Sequence, residues 1–167
     1  RRLLRRAPDG VDRGEVLREE LVAHPLVELA AEEIGLLACD VGEMLGPKLG
    51  PVLFQLPPFA KKDAARLREF VEMLPRRRMV AFEFRHESWF DDEIESILRS
   101  RDAALCAADT DEVADPDRIL RSTASWGYLR LRRTDYSDEA LAAWRKRIEA
   151  QPWSAAYVFF KHEDEGK

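Results

Sequence analysis

The chain is poor in the residues that usually reveal a protein's chemistry. Cysteine occurs only as Cys39 and Cys106, each in an apolar setting. Two such residues cannot form a disulfide scaffold, so the expected state is two buried free thiols, compatible with a reducing cytoplasm. His24, His86 and His162 are the only histidines, and no metal-ligand spacing links them. No apolar run approaches the ~20 residues that span a bilayer, so no membrane partner is expected. The Arg-rich N-terminus is not followed by the apolar stretch of a signal peptide. P-loop, G-x-G-x-x-G, G-x-S-x-G, H-E-x-x-H and C-x-x-C patterns are all missing. Positive charge is not in excess: the 167 residues sum to −5, which speaks against nucleic acid as a partner and leaves only a local basic site open.

What is present reads as one soluble globular domain. Hydrophobic residues make up 46% and charged residues 35% of the chain, a balance that can bury a core. Residues 1–14 are basic and broken by Pro8, Gly10 and Gly14, which predicts a surface segment. From Glu15 to Leu45 apolar residues recur at three- and four-residue steps (Leu26, Leu29, Ala30, Ile34, Leu37, Val41), a helical period divided at Pro25 and stopped at Gly46-Pro47. Residues 1–45 are thus expected to be an N-terminal basic segment and helices, and residues 46–167 the body of the same domain. The chain begins without Met and is expected to be a piece of a longer protein.

After residue 46 strands and helices alternate. Strands are predicted at Gly50–Leu56, Phe82–Arg85, Ala103–Asp109, Trp126–Arg132 and Ala155–Lys161. Between them run helices with cap signals: Asp63 before Leu67, Phe70, Val71 and Leu74; Asp91 or Asp92 before Ile94, Ile97 and Leu98; Asp115-Pro116 before Ile119 and Leu120; Ser137 before Leu141, Trp144 and Ile148. Five strands, each joined to the next by a helix, predict an α/β fold with a parallel sheet. Two closures compete: a doubly wound open sheet, or a TIM-type (β/α) barrel present only as about five C-terminal βα units.

Each strand ends in a polar side chain: Gln55; Glu83 and Arg85; Asp109; Arg130 and Arg132; Lys161. Ligand sites in α/β proteins lie at strand C-termini, and contributions from all five strands favour the barrel. Buried charges must be paired, so Glu83–Arg85 and Asp109–Arg130 pairs are expected. Four cations against two anions leave a positive surplus suited to a phosphate or carboxylate, which Arg can grip with a planar fork. The plainer alternative is a salt-bridge network that binds nothing. Glu83 and Asp109 are the candidate catalytic carboxylates, with Glu83 as general base and Lys161 or His162 as acid. His86 and Trp89 are added as candidate ligand contacts. A metal site from His86, His162, Glu83 and Asp109 is conceivable in a barrel mouth but has no spacing to support it, so none is assigned, and the sequence names no cofactor.

Two long segments then resemble a known family. Lys48 to Pro58 (KLGPVLFQLPP) and Phe82 to Trp89 (FEFRHESW) are similar to motifs of the YecE-like proteins, a bacterial and archaeal family of unknown function (DUF72). Tyr128-Leu129-Arg130-Leu131 and Tyr157-Val158-Phe159-Phe160 resemble two later strands of the same family, so the likeness covers roughly residues 45–167. The resemblance implies a TIM-type barrel from which this chain lacks about three N-terminal βα units. Arg132-Arg133 stands where many members carry His-Gly, and Lys161-His162 where many carry Asn-Asn, implying a more basic mouth. The family supplies no reaction. The reading is therefore a basic pocket for a small anionic ligand, with enzyme or non-enzyme left open. The rivals are a metal-dependent nucleic-acid-processing barrel and a non-enzymatic ligand-binding domain. A partial barrel has open sheet edges, so the isolated chain is expected to self-associate.

Overall fold

The computed structural model describes residues 49–113 and 115–160. The 15–45 helical region, His24, Cys39, Lys161 and His162 lie outside the described residues. Within them run β1 (Val52–Gln55), α1 (Ala64–Met73), β2 (Val80–Glu83), α2 (Asp92–Arg99), β3 (Ala104–Leu105), β4 (Ala107–Asp109), β5 (Trp126–Leu131), α3 (Asp138–Glu149) and β6 (Ala155–Phe160). Single 3₁₀ turns occupy Glu87–Trp89 and Pro116–Arg118.

The helices start where short polar side chains can satisfy their free N–H groups. Asp63 accepts from the Arg66 N–H at 3.0 Å, Asp91 from Ile94 at 3.0 Å and Ser137 from Ala140 at 3.3 Å. Asp91, not Asp92, is therefore the cap of α2. The helix predicted after Asp115 is only the 3₁₀ turn, capped through the Asp117 N–H.

Every strand pairing is parallel, and the strands neighbour one another in sequence order. Among the described residues they form two three-stranded runs, β1-β2-β3 and β4-β5-β6, with no reversal of order within either. The strand predicted over Ala103–Asp109 is divided at Cys106. Its first half pairs with β2 and its second with β5. At the change of partner the Leu105 N–H turns to the Thr123 hydroxyl at 2.8 Å, and the Cys106 N–H reaches the Phe82 carbonyl at 2.8 Å. The second strand ends at Glu83 rather than Arg85, its last tie to β1 being the Leu56 N–H on the Glu83 carbonyl at 3.0 Å.

Alternation along the strands separates two apolar faces. Val52, Phe54, Val80, Phe82 and Leu105 pack with Leu67 and Val71 of α1 and with Ile94, Ile97 and Leu98 of α2. Leu129, Leu131 and Val158 pack with Trp144 of α3. The opposite face is lined by Leu53, Ala81, Ala104, Cys106, Trp126 and Tyr128, with Tyr157 and Phe159 beside them. Among the described residues no helix is long and apolar enough to cross a membrane.

Gly127 marks a close approach between β5 and the loop before β6. A Cβ there would sit 2.3 Å from the Trp153 ring, whose indole N–H is held by Ser122 Oγ at 2.9 Å. Gly127→Ala should therefore cost about 1–3 kcal/mol by overpacking, read by denaturant unfolding. Combining it with Trp153→Ala should recover part of that loss. Equal stability of Gly127→Ala and the parent would show that the ring moves aside freely.

Candidate arginine and carboxylate site

The face opposite the described helices carries charge at the C-terminal ends of its strands. Glu83, the last residue of β2, is only 1% exposed. A lone carboxylate so buried would cost several kcal/mol, and the sequence supplies three guanidiniums to offset it. Arg130 Nη1 lies 2.7 Å from Glu83 Oε2 and Arg85 Nε 3.2 Å from Oε1. Arg132 Nη1 stands 3.7 Å from Oε1, an ion pair without a hydrogen bond. Arg130 Nη1 also donates to Gln55 Oε1 at 2.7 Å. The Cys106 thiol lies 3.9 Å from Glu83 Oε2.

The register explains how these groups meet. Arg130 and Arg132 belong to β5 and its end, Glu83 to β2, and the β3–β4 run passes between them. That run offers only Ala104, Cys106 and Ala108 to this face. Strands stand ~4.8 Å apart, so small side chains on the middle strand leave the gap that arginines from β5 can cross. A large residue at Cys106 would fill the space that Glu83 and Arg130 share.

The structure thus brings together Gln55, Glu83, Arg85, Arg130 and Arg132, and sets Asp109, His86 and Trp89 elsewhere. Asp109 points to the helix face, since residues 105, 107 and 109 alternate with 104, 106 and 108. It is fully buried and accepts from Arg133 Nε at 2.9 Å, the Tyr136 hydroxyl at 2.7 Å and the Trp144 indole N–H at 3.1 Å. The expected Asp109–Arg130 pair is accordingly replaced by Asp109–Arg133. Burial, reinforced by the Asp109 carboxylate that its hydroxyl serves, holds the Tyr136 phenol well above its ordinary pKa.

His86 caps the 3₁₀ turn, its Nδ1 accepting the Ser88 N–H at 3.2 Å. Ser88 Oγ in turn receives the Lys62 N–H at 2.9 Å, tying the turn to the β1–α1 loop. Trp89 is 4% exposed, stacks on Phe84 at 4.5 Å and donates to the Ala60 carbonyl at 2.8 Å. It is a core residue and not a pocket wall. In the FEFRHESW segment only Glu83 and Arg85 serve the charged face; Phe84, His86, Ser88 and Trp89 build the turn that follows it. Sequence reasoning missed Arg133, Tyr136 and Trp144 as partners of Asp109. A Trp on the buried stripe of α3 was a signal for this, because a buried indole N–H needs an acceptor. Among the described residues no group of three or more His, Cys, Asp and Glu side chains is placed to hold a metal ion.

Fold and site define a parallel α/β protein with an arginine-rich cluster at its strand C-termini. Residues 18–167 match the family model described as "Protein of unknown function DUF72", and the chain belongs to that family. It is similar to the crystal structure of a DUF72 family protein from Thermotoga maritima, with a TM-score of 0.61 at 22% identity over 78% of this chain and 57% of that one. A DUF72 family protein from Enterococcus faecalis gives a TM-score of 0.63 at 15% identity, over 82% of this chain and 64% of that one. At such identities the likeness concerns the fold. The chain spans about three fifths of the length of these solved relatives. No curated protein matches its sequence.

Proposed function

We propose that this chain is part of a TIM-type barrel whose inner face, at the strand C-termini, binds a small anion. One observation carries the reading: three guanidiniums gather around a single buried carboxylate. Glu83 neutralises one of them, and the remaining positive charge sits on side chains that solvent reaches, Arg85 at 34% and Arg132 at 25% exposure. Arg pairs of this kind recognise phosphate or carboxylate. The barrel part of the proposal is supported by the sequential parallel order and by a second apolar face that no helix among the described residues covers. β1 and β6 each pair on one side only among the described strands, the edges through which self-association would run.

Glu83 has both oxygens engaged by arginines, so a role as general base would require a substrate to displace one of them. The reading is therefore binding first, with turnover open. A thermal-shift series with phosphate and small carboxylates tests it. The melting temperature should rise with anion concentration in the parent and stay flat in Arg85→Ala. A cooperative melt with no anion response would instead assign the cluster to structure alone.

A further inference from the structure

Resting on the anion-site reading, we infer that the site selects a dianion, a phosphate monoester or inorganic phosphate, over any singly charged anion. The three arginines have different roles. Arg130 is the innermost, 14% exposed, and one of its nitrogens serves both Gln55 and Glu83. It is the internal partner that balances the Glu83 charge. Arg85 and Arg132 are more exposed and converge on the same carboxylate oxygen, Glu83 Oε1, at 3.2 Å and 3.7 Å. Sharing that oxygen confines the two approaching nitrogens to within about 7 Å of each other.

Arg85 meets Glu83 through Nε alone and Arg132 through Nη1 alone. The other guanidinium nitrogens of both have no partner among the described residues. Each arginine therefore keeps donors to spare beside the other's. Two such forks can serve the three acceptor oxygens of one phosphate group, whose charge of about −2 matches theirs. A carboxylate has two oxygens and one charge, and would leave one arginine unbalanced. A phosphate diester keeps the tetrahedral shape and loses one charge. Glu83 is the positioning residue here: its shared oxygen sets the spacing of the two arginines without touching the ligand.

The test is calorimetric titration of the full chain at about pH 8, above the second phosphate pKa of ~6, with methyl phosphate, dimethyl phosphate and acetate. Methyl phosphate should bind about tenfold more tightly than either monoanion, the scale of one charge-assisted hydrogen bond. Arg85→Gln and Arg132→Gln should each lower its affinity about tenfold and leave dimethyl phosphate less affected. Arg85→Lys keeps the charge, removes the fork, and should fall between. Equal affinity for all three anions would overturn dianion selection and leave the anion site standing. A chain that melts cooperatively and binds none of them would overturn both.

Discussion

Replacing Glu83 with alanine should destabilise the protein by about 3–5 kcal/mol, the range for breaking a buried ion pair from one side. The carboxylate is a counter-charge to both Arg130 and Arg132, and Arg85 shares it. Without it Arg130, 14% exposed, keeps its charge in a site that water barely reaches. Domains of this size have only ~5–15 kcal/mol of stability to lose, so the variant should show a large drop in its urea midpoint. The cost belongs to the cations that lose this carboxylate and not to the pair as such. Replacing Glu83 and Arg130 together with leucine and methionine should therefore recover most of it, because apolar substitution of a whole buried pair is often neutral. Arg85 and Arg132 can turn to solvent in that double variant. A Glu83→Ala protein with an unchanged midpoint would mean that Arg130 escapes to water as well, and the cluster would then have no structural role.

This cluster shows what the sequence could and could not announce. Glu83 and Arg85 lie two residues apart at the end of an apolar run, and alternation alone puts them on one face. Gln55, Arg130 and Arg132 followed from the same rule. The rule gives a face for each strand separately but not which faces of different strands agree. Asp109 is expected with the other charges because it too ends its strand, on the side of Leu105 and Ala107. That side turned out to be the one α3 covers, where Trp144 packs with Ala107. Apolar residues on both sides of every strand left nothing in the pattern to distinguish them.

The elements were more legible than the site. Helix starts at Asp63, Asp91 and Ser137 could be read from cap residues because capping is local chemistry. The division of the third strand could not, because it depends on a change of neighbour at Cys106 and on the distant Thr123 hydroxyl. The surroundings of His86 and Trp89 depend on the turn in the same way. A histidine and a tryptophan beside a charged strand end suggest a ligand, and in the structure His86 Nδ1 caps the turn that leaves β2 while the Trp89 indole N–H is held by the Ala60 carbonyl.

The second large effect is expected at Asp109, where asparagine should be harmful but less so than alanine. All three partners of this buried carboxylate are donors: the Arg133 Nε–H, the Tyr136 O–H and the Trp144 indole N–H. All three reach the same oxygen, Oδ2, so an asparagine oxygen in that place could accept from each, but its N–H₂ group would then take the Oδ1 position, 3.0 Å from the Arg133 Nε–H, and set donor against donor. The substitution also leaves the Arg133 charge without a carboxylate, although Arg133 retains the Val113 carbonyl at 2.6 Å. Asp109→Ala should cost about 3–5 kcal/mol, and Asp109→Asn a part of that, from the lost charge and the opposed donors. Tyr136→Phe removes one donor and leaves the ion pair intact, so it should cost only about 1 kcal/mol. Denaturant midpoints would give the order, and the Trp144 environment would report the same loss through fluorescence. An Asp109→Asn protein as stable as Tyr136→Phe would show that one oxygen suffices. The charge of Asp109 would then matter for something other than holding α3 and the residue 132–136 loop against the sheet.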